Sequence, residues 1–249
     1  MTGLLLAYNL PPTIPLWMAA CGSVFAIVLV KQFFGGLGGN IVNPALAARA
    51  MMLISWPVAM TTWTVQGVSG ATPLAFLKGM SSAAAVSQAT SAATQATSPS
   101  VLQSFWNIFI GNVGGCIGET SAAALLLGGA VLIWRGIISW RIPVVYIATV
   151  AVLSLAFGRG TYLPMEINSP ILVGGLMLGA FFMATDYTTS PMTARGQFVF
   201  AAGCGLLTAL IRTFGSYPEG VSYSILIMNL TVPLIDRLTV PRILGEVRR

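Results

Sequence analysis

The sequence predicts an all-α fold: a polytopic membrane helix bundle in a single transmembrane domain spanning residues 1–249. Three observations predict it. Hydrophobic residues make up 56% of the chain and charged residues only 7%, against about 25% charged in soluble domains. Apolar runs repeatedly approach the roughly 20 residues that cross a hydrocarbon core. The twelve Lys and Arg fall one or two at a time between those runs, as membrane-orienting charges do. A nucleic-acid-binding face would gather them together, so no nucleic-acid partner is expected.

Taken in order, Thr2–Leu10 is too short to cross and reads as the tail of a helix closed by Pro11, Pro12 and Pro15. Apolar runs and their Pro, Gly or polar breaks then mark seven full spans, near 16–30, 42–60, 119–134, 142–158, 170–186, 197–213 and 221–236. Val101–Val113 is apolar but short, so it reads as re-entrant or packed within the protein. Gly35, Gly36, Gly38 and Gly39 follow the first span with no strand before them. They read as close helix packing or a broken helix, not as a dinucleotide loop.

Seven crossings put the chain ends on opposite sides. With the C-terminus in the cytoplasm, Lys31, Arg135, Arg141, Arg195, Arg237, Arg242, Arg248 and Arg249 are cytoplasmic and only Lys78 and Arg159 lie outside, which obeys the positive-inside bias. The expected location is the plasma (inner) membrane, multi-pass, with the loop 61–100 extracytoplasmic. From Ser81 to Ser100 that loop is almost wholly Ser, Ala, Thr and Gln, either a low-complexity surface loop or a small-residue face kept open for another protein.

There is no histidine, and Cys21, Cys116 and Cys204 are isolated in apolar runs. Conventional metal and haem sites are thereby excluded for one such chain, and the cysteines read as small buried hydrophobes. Ionisable groups inside spans are costly and each is a functional candidate: Glu119, Asp186, Arg49 and Arg212. Glu119, beside Thr120 and Ser121, is either a carboxylate at the start of its own helix or a cation-pathway ligand. Asp186 either pairs with Arg195 across a loop or lies on the same pathway. The expectation is that Asp186 is structural and Glu119 is the pathway residue. Ser69-Gly70-Ala71-Thr72-Pro73 reads as a turn before a helix, with Thr72 as N-cap and Pro73 at the first helical position. Flanked by Gly70 and Ala71, the Thr72 hydroxyl is also open to an enzyme that loads a phosphoester onto it.

Several stretches together carry a resemblance: Lys31 to Asn40 (KQFFGGLGGN), Asn43-Pro44-Ala45, Ser69-Gly70-Ala71-Thr72, Gly118-Glu119-Thr120-Ser121, Ala184-Thr185-Asp186, Ile211-Arg212-Thr213-Phe214-Gly215, Tyr217-Pro218-Glu219-Gly220, Met228-Asn229-Leu230 and Pro233-Leu234-Ile235-Asp236. Their order resembles the family of the D subunit of the Rnf complex, an ion-translocating ferredoxin:NAD⁺ oxidoreductase. That family is related to the B subunit of the Na⁺-translocating NADH:quinone oxidoreductase.

The resemblance implies an electron-transfer flavoprotein, not catalytic alone, with FMN esterified through its phosphate to Thr72 by a flavin transferase that uses FAD. Ser69, Gly70 and Ala71 form the rest of that motif. It further implies a second, non-covalent flavin (riboflavin), coupling to Na⁺ or H⁺, other subunits of the complex as partners, and a urea-channel-like fold of two inverted five-helix repeats. Asn43-Pro44-Ala45-Leu46 and Asn229 to Pro233-Leu234 are a faint internal echo of such repeats. For Arg212 the alternatives are a flavin phosphate, a carboxylate, or an ion pair with Glu219. Ala75 stands where the family commonly has Ser or Thr, and the chain begins inside what resembles the last of the family's N-terminal spans. The rival readings are the quinone-reducing Na⁺ pump and a passive urea-channel-type solute transporter, which leaves the Ser69–Thr72 motif without a purpose.

Overall fold

Prolines, glycines and hydroxyl caps cut the apolar chain into helices. The structure, a computed structural model, describes residues 1–36, 38–61, 63–65, 68–70, 109–111, 115–157, 175–214 and 220–240. Helix α1 is Thr2–Tyr8 and α2 is Leu16–Gln32, whose second half, Phe25–Gln32, is wound as a π-helix. After it, Gly35, Gly36 and Gly38 take φ of 104°, 82° and 90°, and a Cβ at Gly35 or Gly38 would meet nothing within 4 Å. These two glycines serve a left-handed turn that other residues resist, at the point where the helix breaks off, so of the two alternatives close helix packing is not what they provide.

Helix α3, Pro44–Ser55, opens as its sequence dictates: Asn43 Oδ1 accepts from Ala45 N (3.0 Å) and Leu46 N (3.3 Å), with Pro44 at the first helical position. Pro57–Thr61 is α4. A short antiparallel hairpin follows, β1 Trp63–Val65 against β2 Val68–Gly70, with Trp63 opposite Gly70 and Thr64 opposite Ser69. It adds a small β element to the helical fold where the sequence reading had a turn at Ser69 and Gly70, and Trp, Thr and Val are residues that favour strands.

Ser121 Oγ accepts from Ala124 N (3.3 Å) and caps α5, Ala122–Trp134. Helix α6, Arg141–Phe157, tolerates Pro143 because it lies in the first turn. Leu176–Leu178 runs into a π turn, Gly179–Met183, and together they form α7. Helices α8, Ala194–Phe214, and α9, Val221–Thr239, complete the described chain, and Pro233 inside α9 removes the amide that would bond Asn229 C=O.

By length and composition α8 and α9 are the helices of the described chain long and apolar enough to cross a membrane, with 39% and 33% of their apolar windows buried. Most of that apolar surface therefore faces outward, unlike the single buried stripe of a soluble helix. The other long apolar helices, α2, α3, α5 and α6, are shorter. Within the expected span 170–186, the described helix α7 is eight residues long, about 12 Å. Most of Val101–Val113 lies outside the described residues. Two apolar clusters meet across α3: Leu46 packs with Ile142, Tyr146, Leu176, Phe200 and Ile225, while Ala45, Ala48 and Met52 pack with Leu6, Leu10 and Ala26.

The direction of α6 overturns one expectation. Tyr146 Oη bonds Thr208 (2.7 Å), and a Cβ on Gly205 would stand 2.5 Å from Thr149 Cβ, so α6 and α8 are antiparallel. Helix α9 is antiparallel to α8 in turn, through Thr208–Ser224 (2.7 Å) near one end and Thr193–Thr239 near the other. Arg141 therefore stands at the end of this unit that carries Phe214 and Val221. Arg195 and Arg237 stand at the opposite end. The charge count had grouped all three on one side, because it took residues 159–169 for a loop followed by one full crossing; antiparallel packing requires the chain between α6 and α8 to return to the end from which it left.

A cysteine at Ser139 and one at Met192, in a Cys21→Ser background, should thus react with an impermeant thiol reagent from opposite faces of sealed vesicles. Labelling of both from the same face contradicts the antiparallel arrangement.

Candidate functional site

The described polar interior is built around Arg49, which α3 carries into the bundle at 6% exposure. Its Nη1 donates to Asn9 Oδ1 (2.8 Å), at the end of α1, and its Nη2 to Cys116 Sγ (3.4 Å). The Cys116 thiol donates to Asn9 O (3.2 Å), and Cys116 N donates to Glu119 Oε1 (3.2 Å). Backbone bonds from Ile117 N to Leu10 O (3.1 Å) and from Gly118 N to Tyr8 O (2.9 Å) hold this segment against α1.

Glu119, 7% exposed, does not cap its own helix, which Ser121 does. Its carboxylate faces Gly175, the left-handed residue (φ 70°) that opens α7. A Cβ there would stand 2.8 Å from Glu119 Oε2 and 3.7 Å from Arg49 Nη1. The buried acid thus sits where a guanidinium and the positive end of a short helix both favour it, a structural setting for the residue the sequence favoured as the pathway ligand. Arg49 was legible as a costly charge, but nothing in the spacing of positions 9, 49, 116, 119 and 175 announces that they meet.

Asp186 has the opposite surroundings. It is half-buried just beyond α7, and Arg195, exposed on α8, does not pair with it. Its oxygens accept instead from Thr188 N (3.5 Å), Thr188 Oγ1 (3.1 Å) and Thr189 Oγ1 (3.4 Å) in its own loop. A carboxylate, two hydroxyls and the carbonyl-rich end of α7 gather here. Asp236 takes the cross-loop role, accepting from Met192 N (3.2 Å).

The two halves of the internal echo touch. In the amide orientation that satisfies its neighbours, Asn229 accepts from Asn43 N (3.1 Å) and donates to Thr189 O and Ile225 O (both 3.2 Å). Asn43 Nδ2 in turn donates to Met183 O (3.3 Å), so the start of α3, the end of α7 and the proline-weakened part of α9 meet at two asparagines. A second buried group escaped sequence reasoning altogether: Tyr146, Thr208 and Ser224 close a triangle of hydroxyls, with the Tyr146–Ser224 side at 3.0 Å. Single hydroxyls in three apolar helices carry no mark of a shared partner.

Of the predicted flavin-attachment motif, Ser69 and Gly70 lie on β2, while Ala71 and Thr72 lie outside the described residues. Arg212 is half-buried on α8, and its predicted partner Glu219 lies outside the described residues. Cys116 and Cys204 are buried as expected, whereas Cys21 is exposed.

A family model described as the NQR2, RnfD, RnfE family matches residues 1–245. The chain is 51% identical over 249 residues to the D subunit of the Na(+)-translocating ferredoxin:NAD(+) oxidoreductase complex of Acetobacterium woodii, covering 98% of this chain and 72% of that protein. It is 48% identical over 252 residues to the D subunit of the Proton-translocating ferredoxin:NAD(+) oxidoreductase complex of Clostridium ljungdahlii, covering 97% and 72%. Against the D subunit of the Ion-translocating oxidoreductase complex of Citrobacter koseri the identity is 39% over 274 residues, covering 99% and 77%.

Gly175→Ala should lower stability by about 1–2 kcal/mol for its left-handed backbone alone, and by more once the new Cβ displaces Glu119. Tyr146→Phe should cost only about 1 kcal/mol, because Thr208 and Ser224 still bond each other. Thermal melts of the two variants in one detergent check that order.

Proposed function

The chain belongs to the NQR2, RnfD, RnfE family, and we propose that it is the D subunit of an ion-translocating ferredoxin:NAD⁺ oxidoreductase complex, a multi-pass protein that carries covalent FMN on Thr72. The observation that carries this reading is the match over nearly the whole chain to relatives bearing that name, joined to an intact Ser69-Gly70-Ala71-Thr72 in this sequence.

The chemistry of the motif fits the group. Gly70 and Ala71 offer no bulk beside the threonine, and Gly70 ends a strand rather than a helix, so Thr72 follows a short extended segment. In the loading step the Thr72 oxygen forms a new bond to the FMN-side phosphorus of FAD, the pyrophosphate bond breaks, AMP departs, and the hydroxyl proton goes to a base of the flavin transferase. When bound, the flavin supplies the electron-transfer chemistry. The chain supplies the ester oxygen. A second, non-covalent flavin (riboflavin) and the remaining subunits of the complex as electron donors and acceptors belong to the same reading, as do a urea-channel-like arrangement of two repeats and a cytoplasmic C-terminus.

For the coupled ion, Na⁺ or H⁺, the two candidate acids exchange the roles that the sequence suggested. Asp186, among hydroxyls and with no basic partner among the described residues, is the pathway acid. Glu119, beside Arg49 and the start of α7, is the structural one.

Thr72→Ala should abolish in-gel flavin fluorescence of the denatured chain while insertion and assembly persist, and Thr72→Ser should retain part of it. Fluorescence unchanged in Thr72→Ala would overturn the attachment site.

Asp186→Asn should keep flavin content and slow ion-dependent turnover. Glu119→Gln, which removes the buried negative charge beside Arg49 and the start of α7, should lower stability and reduce assembly. Normal assembly of Glu119→Gln with lost ion dependence would restore the original assignment.

A further inference from the structure

Helix α5 ends in a closed turn. Gly136 N bonds Ile133 O (2.9 Å), Ile137 N bonds Leu132 O (3.0 Å), and Gly136 has φ 69°, the left-handed stop that fixes a helix C-terminus. This turn, up to the start of α6, presents Trp134 at 84% exposure, Ile137 at 68% and Trp140 at 53%. Arg135 beside them is exposed and Arg141 half-buried. Neither arginine has a carboxylate partner among the described residues, and the sequence holds no Asp or Glu between Glu119 and Glu166. The turn also stands at the end of the α6–α8–α9 unit opposite Arg195 and Arg237, so one orienting charge bias does not account for the arginines at both ends.

We propose that the Trp134–Arg141 turn is a docking surface for the phosphate headgroups of anionic phospholipid. Indole rings with an apolar body and one N–H donor settle at the headgroup level, and Ile137 lies beside them in the acyl boundary. Guanidinium forks match phosphate oxygens in pairs and are more weakly hydrated than ammonium. Two arginines with no carboxylate partner among the described residues, framed by two exposed tryptophans on a fixed turn, make a site for a lipid carrying net negative charge rather than a general apolar seam. The inference rests on the membrane reading of the chain.

The test uses the full-length chain reconstituted in vesicles of phosphatidylcholine containing either dibrominated phosphatidylglycerol or dibrominated phosphatidylcholine. The fluorescence of Trp134 and Trp140 is the difference between wild type and a Trp134→Phe, Trp140→Phe variant. That component should be half-quenched at a mole fraction of brominated phosphatidylglycerol roughly ten-fold lower than of brominated phosphatidylcholine, given the attraction expected of two basic residues. Arg135→Gln with Arg141→Gln should erase the difference and leave quenching by phosphatidylcholine unchanged. Equal quenching by both lipids in wild type overturns the headgroup site, as does loss of the preference on adding millimolar inorganic phosphate, which marks a free-anion site. Absence of quenching by either lipid means that protein covers the turn and overturns it too. Quenching of the remaining tryptophans, Trp17 and Trp56 among them, reports insertion itself, so a failure of the membrane reading is told apart from a failure of this site.

Discussion

A guanidinium that cannot lose its charge, placed inside an apolar bundle, is the constraint around which the described structure is arranged. Taking Arg49 out of water carries a penalty of several kcal/mol, and every element near it contributes to offsetting that. The end of α1 brings Asn9, the segment before α5 brings Cys116 and Glu119, and α7 opens with a left-handed glycine whose missing side chain leaves room for the Glu119 carboxylate. Four regions far apart in sequence are tied to one another by the need to solvate one residue. Glu119 is best understood from there: its carboxylate accepts from Cys116 N and faces the start of α7, a setting that suits a residue that holds α7 in place.

The discontinuities of the backbone follow the same logic. Helix α7 is short and partly π-wound, α9 is weakened at Pro233, and α3 starts inside the bundle, so each exposes backbone groups that an apolar surrounding does not satisfy. Asn43 and Asn229 supply partners at the start of α3 and the end of α7, each side chain bonding backbone of another element. Irregular backbone of this kind is tolerated where protein or a cavity covers it. Asp186 sits at one such break with hydroxyls for neighbours, and the proposal of Asp186 as the pathway acid rests on that setting.

The unit formed by α6, α8 and α9 is joined differently. Gly205 lets α6 approach α8 to contact distance, and small residues at such interfaces are what membrane helices use in place of a hydrophobic drive. The Tyr146, Thr208 and Ser224 triangle adds polar contacts at its centre. This unit sets the antiparallel order that moves Arg141 away from Arg195, and with it the place of the exposed Trp134–Arg141 turn.

The sequence by itself determined the helical, membrane-adapted character of the chain, the proline and asparagine start of α3, the serine cap of α5 and the family, because those are properties of composition, of local hydrogen bonding and of residue strings. It also singled out Arg49 and Glu119 as expensive, since cost depends only on residue type and an apolar context. Tertiary structure alone decided that the two share the space over Gly175, that Asp186 turns to its own loop instead of Arg195, that Gly35 and Gly38 bend the chain instead of packing helices, and that α6 runs against α8. Partners and directions of this kind are fixed by which helices touch. A count of loop charges treats each crossing as equivalent, so it does not register a short helix such as α7.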